Sequence, residues 1–338
     1  VSLLASDKTG TLTKNQMTVV KLYFDEKIIE VSGEGYEPEG KFYHNKEELK
    51  EKEKDFLFPF IEAGVLCNDS KIFRSKGNWI VDGDPTEGAL VVLGEKVGLK
   101  KGNLENIFPR IDERPFESKT SYMATLHKNL DKEGNVIFVK GAPEKIIEMS
   151  SQYYLNGKKI RFSSDYKKKI IQESINFSSQ ALRVIAVAKK ELKTEDKNIK
   201  KSNLSNLIFL GFLGMYDPPR PEAKEAVRQC RRSGIRVFMI TGDHSITAKA
   251  IAKQIGIIEG DKEQVVSGEE LERMGSGEFK DTLGKISVYA RISPQMKFRI
   301  VETLQDKGWI VGVTGDGVND APALKKADIG IAMGTSGT

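Results

Sequence analysis

The sequence predicts an α/β fold: a parallel, Rossmann-like sheet whose chain is interrupted by an inserted α+β domain with an antiparallel sheet. Three observations predict it. Apolar runs ending in small or acidic residues recur at Val1–Ala5, Ile235–Ile240, Gly308–Thr314 and Asp328–Met333, with helical patterns between them, the alternation a parallel sheet requires. Residues 16–215 have another texture, short alternating strands with glycine-rich turns, which favours antiparallel pairing. The length of 338 residues, 39% hydrophobic and 30% charged, exceeds one ordinary core and suggests two. The expected domains are a core of residues 1–15 with 216–338 and an insert of residues 16–215.

Taken in order, Val1–Ala5 reads as a buried strand that runs into Asp7-Lys8-Thr9-Gly10-Thr11-Leu12-Thr13. Thr13–Thr18 is the first crossing into the insert. There, strands are expected at Lys21–Phe24, Lys71–Phe73, Val136–Lys140 and Arg183–Ala188, with a tight turn over Gly33–Pro38. The return crossing is Tyr216–Arg220, stiffened by its paired prolines. A helix is expected from Pro221 to Cys230, ending near Gly234. A second follows over Ser245–Gln254, capped by Asp243 and stopped by Gly256. In parallel sheets ligands gather at the carboxyl ends of strands, so Asp7, Thr241 and Asp316 converge if their strands are neighbours.

Composition excludes several classes. The net charge of +5 is spread over mixed-sign runs such as Lys46–Asp55, which read as solvated faces and not as a nucleic-acid stripe. Cys67 and Cys230 lie far apart with no CxxC partner, against a disulfide framework or a zinc site. His44, His127 and His244 are scattered and read as surface or turn residues. The longest nearly unbroken apolar stretch, Leu207–Tyr216, falls short of the roughly 20 residues that span a bilayer. Val1 begins inside a strand without an initiator Met and Thr338 follows an unfinished strand-turn pattern, so the chain reads as a soluble fragment.

A carboxylate at a strand tip can accept a phosphoryl group and form an acyl phosphate. Thr9, Gly10 and Thr11 offer hydroxyls and closely approaching N–H groups to the phosphate oxygens. Here DKTGTLT resembles the phosphorylation motif of P-type cation-transporting ATPases. Phosphoryl transfer also needs a divalent cation and positive or N–H groups on the equatorial oxygens. Asp316, in Thr314-Gly315-Asp316-Gly317-Val318-Asn319-Asp320, would share Mg²⁺ with Asp7 and the Thr9 carbonyl. Thr241 and Gly242, followed by Asp243, would donate to the phosphate, and Lys297 would neutralise it. Asn319 and Asp320 complete the surroundings, Asp320 through the metal's ligands. The order of these motifs resembles the haloacid-dehalogenase-like core of P-type ATPases. Phosphatases of that superfamily usually carry an acid/base aspartate two residues after the nucleophile; this chain has Thr9, which predicts a slowly hydrolysed acyl phosphate. Ala5 stands where family members often have Cys, and a small buried residue serves either way.

Within the insert, Asp84–Leu90, Arg114–Ser118, Lys140–Glu144 and Ala181–Val184 resemble the family's nucleotide-binding landmarks. The resemblance implies that Phe116 stacks on adenine, that Lys140 and Gly141 line the base pocket, that Glu87 contacts the base edge and that Arg183 reaches the phosphates. An aromatic face with cations suits a purine carrying a polyanion, whereas simple core packing is the plain alternative for Phe116. Asp217 and Arg220 resemble the hinge motif DPPR, and Arg291 would bridge the domains over bound ATP. GDPTEGAL, GEGYEPEG and KGAPE resemble the calcium-pump branch, while TGDHSITAKAIAKQIGI is also similar to the sodium/potassium branch. The resemblance therefore implies the catalytic portion, at the cytoplasmic face of a membrane, of a pump for Ca²⁺, or alternatively for Na⁺, K⁺ or H⁺. Its cofactors would be Mg²⁺ and ATP, and its transmembrane helices and actuator domain would lie elsewhere in the same chain. A stand-alone phosphatase with a large cap and a nucleotide-binding regulatory module are the rival expectations.

Overall fold

Residues 1–131, 133–193, 196–260, 265–315 and 320–333 are described by a computed structural model. The chain forms two units, one of Val1–Asn15 with Asp217–Thr338 and one of Gln16–Tyr216.

The first unit is built on six parallel strands in the spatial order Val265–Ser267, Val288–Ala290, Arg236–Ile240, Leu3–Asp7, Val311–Gly315 and Ile329–Ala332. The first strand in sequence is therefore central. Its register pairs Asp7 with Ile240 and Ser6 with Thr314, so Asp7, Thr241 and Gly315 reach the same end of the sheet. From Leu3–Asp7 the chain builds to one side and then crosses to the other, which makes the end of this strand a switch point where such sheets bind ligands. Leu3, Ala5, Phe238, Ile240, Val311 and Val313 are buried against helix Pro294–Asp306. Each large side chain so buried contributes about 1.5–3 kcal/mol. Ser293 caps that helix by accepting from the Met296 N–H, and Pro294 opens it.

Val265–Ser267 and Val288–Ala290 are strands the sequence reading did not expect. At three residues each they fall below the runs that periodicity can register. The two expected helices form over Ala223–Arg232 and Ser245–Gln254. Gly234 at φ +74° and Gly256 at φ +80° end them in the left-handed conformation, with Ile235 and Ile257 donating back to Cys230 and Ala252. Asp243 does not cap the second helix as expected. His244 does, through an Nδ1 that accepts from the Ile246 N–H, because the Asp243 carboxylate is held by Lys8 at 2.8 Å.

The second unit carries an eleven-stranded, largely antiparallel sheet whose central strands are Thr18–Phe24, Leu207–Tyr216, Arg183–Leu192, Asn135–Gly141 and Tyr122–Lys128. Alternate residues bury on opposite faces. Leu22, Phe24, Val136, Phe138 and Val187 pack with helices Phe58–Leu66 and Pro85–Lys96. Tyr23, Ile137, Val139, Ala186 and Ala188 pack with helices Pro143–Met149 and Ser164–Ser179. Helices on both faces make Asn135–Gly141 buried throughout.

Three local differences from expectation follow from this layering. Among the described residues Lys71–Ser75 pairs only with Asn78–Asp82, as a separate hairpin. Tyr216 ends the Leu207–Tyr216 strand opposite Thr18 and stays with the insert. His127 is not a surface residue: it is 1% exposed on an inner strand. Its Nδ1 lies 2.8 Å from the Phe108 carbonyl, and burial pushes its pKa down to about 4.

Candidate functional site

Asp7 ends the central strand, and the chain then turns tightly over Lys8–Leu12. Gly10 takes φ +71° there, and the Thr13 N–H closes back on the Lys8 carbonyl at 3.0 Å. A residue with a side chain would be strained at Gly10. The Thr11 hydroxyl is buried and has no hydrogen-bond partner among the described residues.

Lys297 reaches this tip from helix Pro294–Asp306. Met296, Ile300, Val301 and Leu304 mark the helix's buried stripe, and Lys297 shares it, at 8% exposure. A first-turn side chain leans toward the helix N-terminus, which brings its Nζ to 2.5 Å from Asp7 Oδ1 and 2.5 Å from Asp320 Oδ1. Burial works against the ammonium, but the Asp7 and Asp320 carboxylates outweigh it and raise the Lys297 pKa above the usual lysine range. Asp320 is folded close against the end of its strand, since a Cβ on Gly315 would meet its Oδ2 at 2.5 Å. Asp316 and Asn319 lie outside the described residues.

Thr241 is 1% exposed at the end of the neighbouring strand. Its N–H donates to Tyr289, its carbonyl accepts from Ile292, and its hydroxyl accepts from the Asp243 N–H at 3.1 Å. Gly242 is exposed, and a Cβ there would meet nothing within 4 Å among the described residues, which leaves its backbone open on that side. Arg291 sits at φ +52°, its N–H on the Asp243 carbonyl and its guanidinium on Glu269 at 3.1 Å.

Two residues that the sequence reading left without a role join this region. The buried Lys8 ammonium lies 2.8 Å from Asp243 Oδ2 and 3.6 Å from Asp217 Oδ2. Thr13 donates its hydroxyl to Asp217 at 2.5 Å. The segments 12–14 and 218–220 run as a short antiparallel ribbon, with Lys14 donating to Pro218 and Arg220 to Leu12, and the Arg220 guanidinium donates to the Gly10 carbonyl at 2.7 Å. Ion pairs across more than 200 positions leave no mark in a single sequence, so no local signal pointed to Lys8.

In the insert, Lys140 and Glu87 form a close ion pair, at 7% and 14% side-chain exposure. Lys140 also donates to the Cys67 carbonyl at 2.5 Å. Arg110 and Lys101 bind the carbonyls of Leu66, Asn68 and Ser70, so three cations meet the carbonyl end of helix Phe58–Leu66, where the helix dipole favours them. Phe116 is 57% exposed, which excludes simple core packing. Arg183 donates to the Thr86 hydroxyl at 3.1 Å. Gly141 is buried against the adjoining strand: a Cβ there would strike the Ser121 carbonyl at 2.4 Å.

Residues 57–222 match the family described as P-type ATPase, cytoplasmic domain N. Across its whole length the chain is also 46% identical to a cation-transporting ATPase, pma1, of Synechocystis. It is 41% identical to a calcium-transporting ATPase of Bacillus subtilis and 42% identical to the human calcium-transporting ATPase type 2C member 2. The chain belongs to the P-type ATPase family. It spans 37%, 38% and 34% of those three relatives' lengths, and among its described residues no helix is long and apolar enough to cross a membrane.

In this P-type ATPase segment the donor set fits a hard divalent cation. Asp7 and Asp320 are carboxylates within reach of one ammonium, and hard oxygen donors of this kind select Mg²⁺ over softer metals. Among the described residues no cluster of three or more His, Cys, Asp or Glu is assembled. The exposed Phe116 ring in the insert suits stacking on a purine in the same sense.

Proposed function

We propose that this chain is the catalytic part of an ATP-driven cation pump, acting at the cytoplasmic face of a membrane. An oxygen of the Asp7 carboxylate attacks the γ-phosphorus of ATP, the bond from that phosphorus to the β,γ-bridging oxygen breaks, and ADP leaves with the bridging oxygen. The observation that carries this reading is the single Lys297 ammonium, 2.5 Å from both Asp7 and Asp320 at the end of the central strand. Lys297 holds the Asp7 carboxylate in place, and its charge is available to the phosphoryl oxygens as transfer proceeds. The Gly242 N–H, on an open backbone, and the hydroxyl of the buried Thr241 supply donors to the same oxygens. Bound Mg²⁺, held by Asp7 and the Thr9 carbonyl with Asp316, would supply further neutralisation of phosphate charge.

Phe116 would stack on the adenine, with Glu87 and Lys140 forming the polar edge of its pocket and Arg183 reaching the phosphates. Thr9, where a phosphatase would carry its acid/base aspartate, makes the aspartyl phosphate long-lived, as coupling to transport requires. Calcium is the cation we assign, because the Bacillus and human relatives are named calcium-transporting; transport assays with Na⁺, K⁺ and H⁺ test the assignment.

The reading is tested by incubating the chain with Mg²⁺ and γ-labelled ATP and quenching in acid. Protein-bound label released by hydroxylamine, and lost in Asp7→Asn while ATP still binds, is the expected result. Undiminished label in Asp7→Asn would sink it.

A further inference from the structure

Lys8 is 5% exposed, and burying an ammonium is unfavourable unless it is closely paired. Its partners come from two other segments. Asp243 belongs to the loop that follows strand Arg236–Ile240, and Asp217 to the crossing at 217–220, where it also accepts from Thr13. One cation thus faces two carboxylates and ties three stretches of chain. Buried ion clusters of this kind are weak evidence for stability; setting a geometry is their better-attested use.

The Asp243 backbone is already fixed, by its N–H on the Thr241 hydroxyl and by its carbonyl on the Arg291 N–H. Thr241 is fixed in turn by Tyr289 and Ile292. The backbone of the Thr241–Asp243 loop is thus held together, and the Lys8–Asp243 pair ties it to the turn after Asp7. We propose that Lys8 is a positioning residue for phosphoryl transfer: its ammonium sets the Thr241–Asp243 loop against the Asp7 turn, without touching the phosphate. The inference rests on the reading of Asp7 as phosphoryl acceptor. Misplacement of a donor by about 1 Å can cost roughly 100-fold in rate, so such a tie has leverage on the chemistry.

The test compares Lys8→Met, Asp243→Asn and the double variant in the 338-residue chain, with Lys8→Arg as the charge-keeping control. Lys8→Met is expected to slow phosphoenzyme formation at saturating Mg-ATP by roughly 100-fold. Its half-saturating ATP concentration should change by less than about twofold. Adding Asp243→Asn removes one of the two carboxylates left without their cation and should add less than about twofold to that loss, because the two groups act as a pair. Amide hydrogen exchange at Thr241–His244 and Thr9–Leu12 should rise in Lys8→Met, rise no further in the double variant and stay low in Lys8→Arg.

Exchange needs no turnover, which separates the two readings. A wild-type chain that shows this exchange pattern but takes no label contradicts the assignment of Asp7 and leaves the tie standing. Unchanged exchange in Lys8→Met, or a double variant as slow as the product of the single effects, overturns the inference and places Lys8 on the phosphate itself.

Discussion

The Asp7 region and the Phe116 region differ in what holds their groups in place. At Asp7 the charges are buried and mutually satisfied: Lys297 spans two carboxylates and Lys8 spans two more. In the insert the Phe116 ring stands 57% exposed, and the cations Lys140, Arg110 and Lys101 are committed to backbone carbonyls and to Glu87. The first region is organised for charge that develops during a reaction, where fixed dipoles and ions are most effective. The second, on the proposed reading, offers an exposed ring for binding. On the proposed reading, the comparison teaches that burial is put into the carboxylate that would accept phosphate and withheld from the ring that would stack on the base.

The sharpest way to break this contrast is Lys297→Met. It leaves the buried Asp7 and Asp320 carboxylates without their shared cation, and removing one partner of a buried pair costs about 3–5 kcal/mol. Denaturant titration should register that loss, and phosphoenzyme formation should fall by roughly 100-fold to 1,000-fold. Wild-type stability and rate in this variant would remove the claim that the site is held by its charges.

An intermediate effect lies inside the insert, at His127. Its folded pKa of about 4 is below the unfolded value of 6.5, so the folded state disfavours the proton. Stability is fully present above pH 6.5 and is lost as pH falls toward 4, by up to about 3 kcal/mol. Urea titrations at neutral and acid pH should show this loss in the wild type and a smaller one in His127→Asn, which keeps a donor for the Phe108 carbonyl but does not titrate. Equal acid sensitivity in both proteins would assign the loss to other groups.

The mildest change to the fold should come from Phe116→Ala. With the ring more than half exposed, stability should be unaffected, whereas ATP affinity should weaken by the about 1–3 kcal/mol of base stacking. Calorimetry reads both. Unaltered affinity would mean that the exposed ring is not the nucleotide platform.

Much of the core was legible because its signals are local. An apolar run ending in Asp7 marks a strand tip, and Gly234 and Gly256 mark helix ends whichever tertiary contacts surround them. The three-residue strands at Val265 and Val288 were not legible, since so short a run shows no period and is a strand only through its neighbours. Lys297 lay in a segment that reads as a polar helix start; the stripe of Met296, Ile300, Val301 and Leu304 was the available sign that its face is buried. Lys8, Thr13 and Asp217 come together across some 200 residues, and His127 is buried because helices cover both sheet faces. Both facts belong to the packed chain and not to any window of its sequence.

The central claim is that Asp7 accepts the phosphoryl group. The most direct measurement is to treat the acid-quenched, ATP-phosphorylated protein with hydroxylamine and locate the resulting hydroxamate by peptide mass spectrometry. The account predicts it on Asp7, in the peptide that carries Lys8-Thr9-Gly10-Thr11. A hydroxamate on another carboxylate, or phosphate recovered on a hydroxyl side chain instead, would contradict it.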